Sequence, residues 1–234
     1  MSTSSDAPIR PPLEPHRARR FIEENTAITT APHVPEIRLR LASEAHDIWL
    51  KTEEELAELG VPPPFWAFAW AGGQGLARLL LDEANLVAGR TVIDFASGSG
   101  LVAIAAAMAG ACSVLAADID PFAGTALDMN LALNLPNSAA SVTFTRADLT
   151  GESVDAEVLL AGDVFYDRAM AARLVPWFDR LAKRGVTVLV GDPGRAYLPR
   201  QHLTALAEYR VPVSRALEDQ EIKRVVVWRW HGGE

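Results

Sequence analysis

Residues 91–100, Thr-Val-Ile-Asp-Phe-Ala-Ser-Gly-Ser-Gly, run from an apolar stretch through an acid into a loop of small residues. Asp94 closes the stretch, and Ala96, Ser97, Gly98 and Gly100 follow it. Small residues let a backbone approach a ligand closely, and glycine permits a tight turn into a helix. A carboxylate ahead of such a loop suits a cation and repels a pyrophosphate. Asp118, beside Ile119, ends the next apolar stretch, roughly 20 residues beyond the glycines, where a carboxylate can accept both ribose hydroxyls. After a third stretch, Asp148 is placed to accept an adenine amino hydrogen while the N–H of Leu149 donates to a ring nitrogen. Together these acids describe a site for a cationic nucleoside. S-adenosylmethionine, whose methionine end carries an ammonium group, has that form. The rival ligand is a nicotinamide dinucleotide, because Gly98-Ser-Gly-Leu-Val-Ala103 also satisfies G-x-G-x-x-A. Asp94 and Asp148 both argue against that dianion, and a glycine turn serving only strand–helix packing is the bland alternative.

A fourth apolar stretch leads into Gly162-Asp-Val-Phe-Tyr-Asp167. Here a neutral nucleophile would be held opposite the sulfonium leaving group, and orientation supplies much of the rate. Asp163 can orient an amine by a hydrogen bond, while Phe165 or Tyr166 offers an aromatic wall with cation–π attraction. Phe165 reads equally as a core residue.

Elements that hold these residues follow from the periodicity. Residues 1–19, rich in Pro, Ser and Arg, read as a flexible tail. Ile37, Leu39 and Leu41 alternate with arginines, as in a strand with one buried face. Residues 44–59 read as a helix ended by Gly60, and an aromatic run follows over 65–70. From residue 90, strands at 91–95, 113–117, 142–145, 158–161 and 186–190 alternate with helices at 101–108, 120–134, 168–183 and 199–209. Asp120-Pro121 supplies a cap and a proline at the first helical position. Two strands at 210–213 and 223–230 end the pattern without a helix between them. Apolar strands alternating with helices make a parallel sheet covered on both faces. The expectation is an α/β, doubly wound, seven-stranded Rossmann-like sheet with an antiparallel terminal strand. It divides into a tail (1–19), an N-terminal extension and cofactor lid (20–75) and a catalytic domain (76–234).

Composition narrows the function. Of 234 residues, 49% are hydrophobic and 22% charged, with net charge −8, so non-specific nucleic-acid binding is excluded as the main task. The run 17–20 is the best basic candidate and also reads as solvated tail. The single cysteine, Cys112, excludes an internal disulfide, and five scattered histidines give no support to a metal site. No apolar run approaches the ~18 residues of a membrane span, and the N-terminus has no signal-peptide apolar region. The default is a soluble cytoplasmic protein with no membrane partner.

Four dispersed motifs carry a family resemblance: Phe65-Trp-Ala-Phe-Ala-Trp-Ala-Gly-Gly-Gln-Gly75, Ala117-Asp-Ile-Asp-Pro121, Gly162-Asp-Val-Phe-Tyr-Asp167 and Gly191-Asp-Pro-Gly-Arg195. In this order they resemble the lysine methyltransferases of the electron-transfer-flavoprotein β-subunit. That group lies within the seven-strand protein-lysine methyltransferases, whose motif after the fourth strand is Asp/Glu-x-x-Tyr/Phe. The similarity runs from about residue 60 to 195 and more weakly beyond. It implies a class I methyltransferase fold, S-adenosylmethionine as cofactor and lysines of the flavoprotein β-subunit as acceptors. Ribosomal or other lysine-rich proteins, or a small molecule, stay open as alternatives. It implies Asp163 and Tyr166 as the lysine-site motif and places Trp70, Gly72 and Gly73 at the cofactor edge, with Gln74 adding a polar contact. Gly162 joins the candidate cofactor contacts. Ala96 departs from the glycine common in class I enzymes, which is tolerable if that backbone needs no positive φ. The 191–195 loop is placed to reach the acceptor through Asp192 or Arg195, or is a Gly-Pro turn with no ligand role.

Overall fold

The computed structural model describes residues 15–43, 63–135, 141–213 and 221–231. The helix expected over 44–59 therefore lies outside the described residues.

Helix α1 (Pro15–Asn25) begins inside the expected tail and buries Ala18 and Ile22. A hairpin follows, β1 (Ala27–Ala31) against β2 (Val34–Leu41). On β2, Ile37, Leu39 and Leu41 face inward, the alternation a one-sided strand requires, and Val34 is buried at the hairpin end. After a 3-10 turn at Phe65–Ala67 comes α2 (Ala71–Asp82), which periodicity did not reveal. Its first turns hold Gly72, Gly73 and Gly75, poor helix formers. What holds it is burial of Leu76, Leu79 and Leu80.

The doubly wound unit comprises β3 (Thr91–Phe95), α3 (Leu101–Met108), β4 (Ser113–Ala117), α4 (Ala123–Asn134), β5 (Ser141–Thr145), β6 (Val158–Gly162), α5 (Arg168–Lys183) and β7 (Thr187–Asp192). Then β8 (Leu203–Pro212) and β9 (Ile222–Trp230) form an antiparallel pair. The sheet runs β5-β4-β3-β6-β7-β9-β8, with β9 antiparallel to both neighbours. The seven strands, the parallel set and the antiparallel ending agree with expectation.

One expectation fails. Residues 199–209 form no α-helix; a short 3-10 turn at Arg200–His202 leads into the ten-residue β8. Leu203, Ala207, Tyr209 and Val211 turn inward, and the exposed Leu206, at a bulge between Ala205 and Ala207, blurs the alternation that would have signalled a strand. Pairing with β9 along its whole length overrides the helical bias of Ala, Leu and Glu there.

Each central strand feeds two cores by alternation. Val158 and Leu160 of β6 pack under α2, α3 and the hairpin, while Leu159 and Ala161 pack under α5. Helix α5 is capped by Asp167, whose Oδ1 accepts the Met170 N–H (2.8 Å). Its Ala171, Leu174, Trp177, Phe178 and Leu181 form the buried stripe. A third cluster joins α1 and α4 to Trp66 and Phe68. Strand order reverses between β3 and β6, so their carboxyl ends frame the crevice where such sheets bind ligands.

Candidate active site

A cleft at that reversal is lined by Asp94 and Ala96–Ser99 from the end of β3 and by Gly162 and Asp163 from the end of β6. Phe68–Trp70 and Gly73, leading into α2, close its third side. Asp94 is fully enclosed, and its Oδ2 accepts the Ala103 N–H of α3 (2.9 Å). Burial pushes its carboxyl up to about 8, and the nearby Asp118 adds to the shift. The loop turns through left-handed backbone at Ala96 (φ +56°), Gly98 (+51°) and Gly100 (+81°). Ala96 therefore sits in the conformation under which alanine was not to be tolerated freely. An L-residue there costs roughly 1–2 kcal/mol.

Asp118 ties the loop to β4. Its Oδ2 accepts the Gly98 N–H (2.8 Å) and its Oδ1 the Asp120 N–H (2.9 Å). Asp120 accepts the Phe122 N–H (2.7 Å), so it caps a turn ahead of α4, whose helical residues begin at Ala123 rather than 120. Burial raises Asp118 and carries Asp120 to about 7. Asp94, Asp118 and Asp120 thus share one corner in which burial disfavours their ionised forms. A cation is what that corner would gain from. The Ser97 Oγ, buried in the same cleft, has no hydrogen-bond partner. Carboxylates short of a cation, an unpartnered hydroxyl and left-handed glycines fit a cationic nucleoside.

Other candidates fall differently. Asp148 lies outside the cleft lining, where Arg173 (2.7 Å) and the Thr150 N–H (2.9 Å) engage it and hold its carboxyl down to about 2. Leu149 packs against the core under α5. Ile119 is 68% exposed beside Asp118. Gln74 is buried away from the cleft, its Oε1 accepting the His33 N–H (3.2 Å) and its Nε2 donating to the Ala69 carbonyl (2.7 Å). It faces a second, larger pocket of about 170 Å³ on the hairpin side of Trp70, which has no acidic lining.

The acceptor motif divides. Asp163 has φ +57°, rare for a non-glycine residue and typical of strained functional positions. Its N–H continues the β6–β7 pairing to the Gly191 carbonyl (2.9 Å) before the chain turns. Its Oδ2 accepts the Gly73 N–H (3.1 Å), and its Oδ1 accepts Nε (3.0 Å) and Nη2 (2.7 Å) of Arg195. Tyr166 is half exposed, its ring 6.0 Å from that of Phe65, and burial of the rest raises its hydroxyl's pKa. Phe165 corrects the aromatic-wall expectation. It is 0% exposed, stacked on Trp230 (6.1 Å) and edge-on to Phe178 (6.2 Å), so its ring belongs to the core under α5.

The 191–195 loop does reach the site. Arg195 lies over the Trp70 ring (5.9 Å) besides gripping Asp163. Trp70 is fixed by its Nε1–H to the Phe65 carbonyl (3.0 Å). Sequence reasoning missed Asn130, whose Nδ2 donates to the Ser99 carbonyl (2.8 Å) and whose Oδ1 accepts the Arg40 N–H (2.7 Å). A lone amide on the apolar side of α4 was its only signal. The close seating of α2 was missed as well: a Cβ on Gly72 would collide with the Gly191 carbonyl, and one on Gly162 would lie 2.9 Å from the Gly73 Cα.

The sheet order and the acidic, glycine-looped cleft define a class I methyltransferase, an enzyme that uses S-adenosylmethionine. The chain is 40% identical over 216 residues to the electron transfer flavoprotein beta subunit lysine methyltransferase of Xenopus laevis, covering 90% of this chain and 85% of that one. The Homo sapiens protein of the same name is 38% identical over 217 residues, covering 90% and 80%. The chain belongs to this family of lysine methyltransferases. A family profile described as Ribosomal protein L11 methyltransferase (PrmA) matches residues 77–164. The fold is shared with magnesium protoporphyrin IX methyltransferase (ChlM) from Synechocystis PCC 6803 (TM-score 0.52, 13% identity, 81% of this chain and 100% of that one). Among the described residues no helix is long and apolar enough to cross a membrane.

Proposed function

We propose that this enzyme methylates lysine side chains of the electron transfer flavoprotein β-subunit, with Asp163 and Tyr166 receiving the lysine. The observation that carries the reading is one hydrogen bond, Gly73 N–H to Asp163 Oδ2 (3.1 Å), which joins the cofactor wall to the acceptor carboxylate. The family's name supplies the protein substrate. The ribosomal-protein profile ends at Val164, one residue past Asp163, and so leaves out Tyr166 and the 191–195 loop of the acceptor side. A single cysteine and an acidic chain suit a cytoplasmic setting.

S-adenosylmethionine supplies a methyl group on a positively charged sulfur. Asp94 would face its ammonium group, Asp118 its ribose hydroxyls, and Ser97 with the backbone from Ala96 to Gly100 its remaining polar atoms. Gly162, Gly73 and Trp70 would form the wall towards the acceptor, and the Phe65–Trp70 segment the lid. Ile119 and Leu149 would flank the nucleoside, and Asp148 would take the adenine amino group in competition with Arg173. At Asp163 the acceptor amine is oriented by a hydrogen bond to the carboxylate. With S-adenosylmethionine bound, the carboxylate would hold the amine's lone pair toward the methyl group, which the amine would take as the C–S bond breaks with its electrons staying on sulfur, the surplus proton leaving to water. Tyr166 walls the approach.

Radiolabelled S-adenosylmethionine incubated with the enzyme and purified electron transfer flavoprotein should label the β-subunit on lysine. Asp163→Asn should abolish labelling while S-adenosylhomocysteine still binds. Label confined to small molecules or to other proteins of a cell extract would overturn the substrate. Equal loss of binding and transfer in Asp163→Asn would overturn the role of Asp163.

A further inference from the structure

We propose that Arg195 is a positioning residue of the acceptor site: by gripping one oxygen of Asp163, it keeps that carboxylate from trapping the incoming lysine as an unreactive ammonium ion. The inference rests on the reading above, that Asp163 receives the amine.

A lysine amine has an ordinary pKa near ~10.4, so roughly one molecule in 2,500 is neutral at pH 7. Only that form carries the lone pair the reaction needs. A bare carboxylate at the acceptor position would worsen the problem, because an opposite charge at close range favours the protonated amine by roughly 1–3 pKa units. Every carboxylate meant to orient a lysine for methyl transfer faces this conflict. The structure resolves it with a second cation. Arg195 meets Asp163 Oδ1 through two nitrogens, Nε at 3.0 Å and Nη2 at 2.7 Å. A guanidinium stays charged at any working pH and offers two donors in a fixed plane. The carboxylate thereby becomes a hydrogen-bond acceptor whose charge is already balanced.

Arg195 is built to stay there. Asp192, 1% exposed, accepts the N–H groups of both Gly194 (2.6 Å) and Arg195 (2.7 Å), folding the 191–195 turn so that the side chain projects back onto Asp163. The guanidinium also covers the Trp70 ring at 5.9 Å, which desolvates it on one face. Asp163 and Trp70 both line the cleft, so Arg195 touches two of its walls from behind. The other charged and polar groups near Asp163 are consistent. From α2 the Gly73 N–H donates to its Oδ2, and from β3 Asp94 lines the same cleft. Tyr166 and Asp167 follow Asp163 in the acceptor loop and act on each other, and Arg200 lies close enough to Asp192 to act on it. The guanidinium of Arg195 bonds directly to the orienting carboxylate.

The test is the pH dependence of kcat, at saturating flavoprotein and S-adenosylmethionine, for methylation of purified electron transfer flavoprotein. Arg195→Gln should move the acidic limb, where the amine loses its proton, about one unit to higher pH. The rate at pH 7 should then fall by about tenfold and recover as pH rises past the displaced limb, with S-adenosylhomocysteine affinity unchanged. Arg195→Lys, which keeps the charge, should leave the limb in place even if the rate drops. If Arg195→Gln does not fold, Arg195→Met repeats the neutral case. A neutral variant slower by the same factor at every pH, or a lysine variant whose limb moves as far as glutamine's, would overturn the proposal. That result would leave Asp163 as acceptor intact, because Asp163→Asn tests it separately.

Discussion

Asp94 offers a pH experiment whose size can be worked from the fold. Burial beneath α3 raises its carboxyl from the ordinary 3.8 to about 8, opposed only by the Ala103 N–H. In the unfolded chain the group loses its proton near pH 4, whereas in the folded one it keeps it until about pH 8. Between those values the native state binds a proton that the unfolded state has released, so stability falls as pH rises through the window and levels off above it. At about 1.4 kcal/mol per unit, the step from pH 5 to pH 8 removes on the order of 4 kcal/mol. Asp118 and Asp120 slope the same way, so the parent alone does not isolate Asp94. Asp94→Asn keeps the shape and cannot ionise. Urea titrations at pH 5 and pH 8 should show the parent losing several kcal/mol more over that range than the variant. A ligand ammonium group beside Asp94 should reverse the shift, so binding of S-adenosylhomocysteine at pH 7 should release a proton. Calorimetry in two buffers of different ionisation enthalpy measures that release. Parallel stability slopes in parent and variant, with no proton released by the parent, would refute the account of Asp94.

Two further predictions concern backbone and rings. Ala96→Gly should raise stability by about 1 kcal/mol by relieving a left-handed alanine, read as a higher Tm; an unchanged or lower Tm would remove strain from that position. Phe165→Ala should cost roughly 3–5 kcal/mol through the cavity it leaves between Trp230 and Phe178. Tyr166→Ala, at a half-exposed ring, should change stability by no more than about 1 kcal/mol yet slow methyl transfer, and the opposite pattern in melting and turnover would show the two rings have been assigned the wrong way round.

How far the fold could be read from the chain depended on whether local and tertiary preferences agreed. For β3, β4, β6 and β7, buried on both faces, near-continuous apolar runs were unambiguous. In β8 the exposed Leu206 at the bulge blurred the alternation and helix-favouring residues filled the middle, so only pairing with β9 reveals the strand. Helix α2 was hidden by glycines that serve contact with the sheet rather than helicity. At the site, Asp94, Asp118 and Asp163 were legible because acids at strand ends have few structural uses. Phe165 and Tyr166, adjacent in the motif, differ by which side of the chain faces α5, a distinction no spacing encodes. Asp148 was read in register with the other acids, but register says nothing of Arg173, which approaches from a helix 25 positions away. Ala96 was judged by residue type when its φ was what mattered.

The glycine-on-glycine seat of α2 has a consequence for how such an enzyme could change its targets. Main chain meets main chain where Gly72 abuts Gly191 and Gly162 abuts Gly73, and Asp163 is hydrogen-bonded at that same joint. The gap between donor and acceptor is therefore gauged by peptide groups, whose dimensions do not vary with mutation. Side chains farther out, such as half-exposed Phe65, Tyr166 and Tyr197, carry no part of that gauge. Of these, Phe65 and Tyr197 can be exchanged to greet a different protein surface while the reacting atoms keep their spacing, whereas Tyr166 stays with the acceptor. Retargeting by substitution at these aromatic positions should thus be far easier than any change at Gly72 or Gly191, where even one added methyl group has nowhere to go.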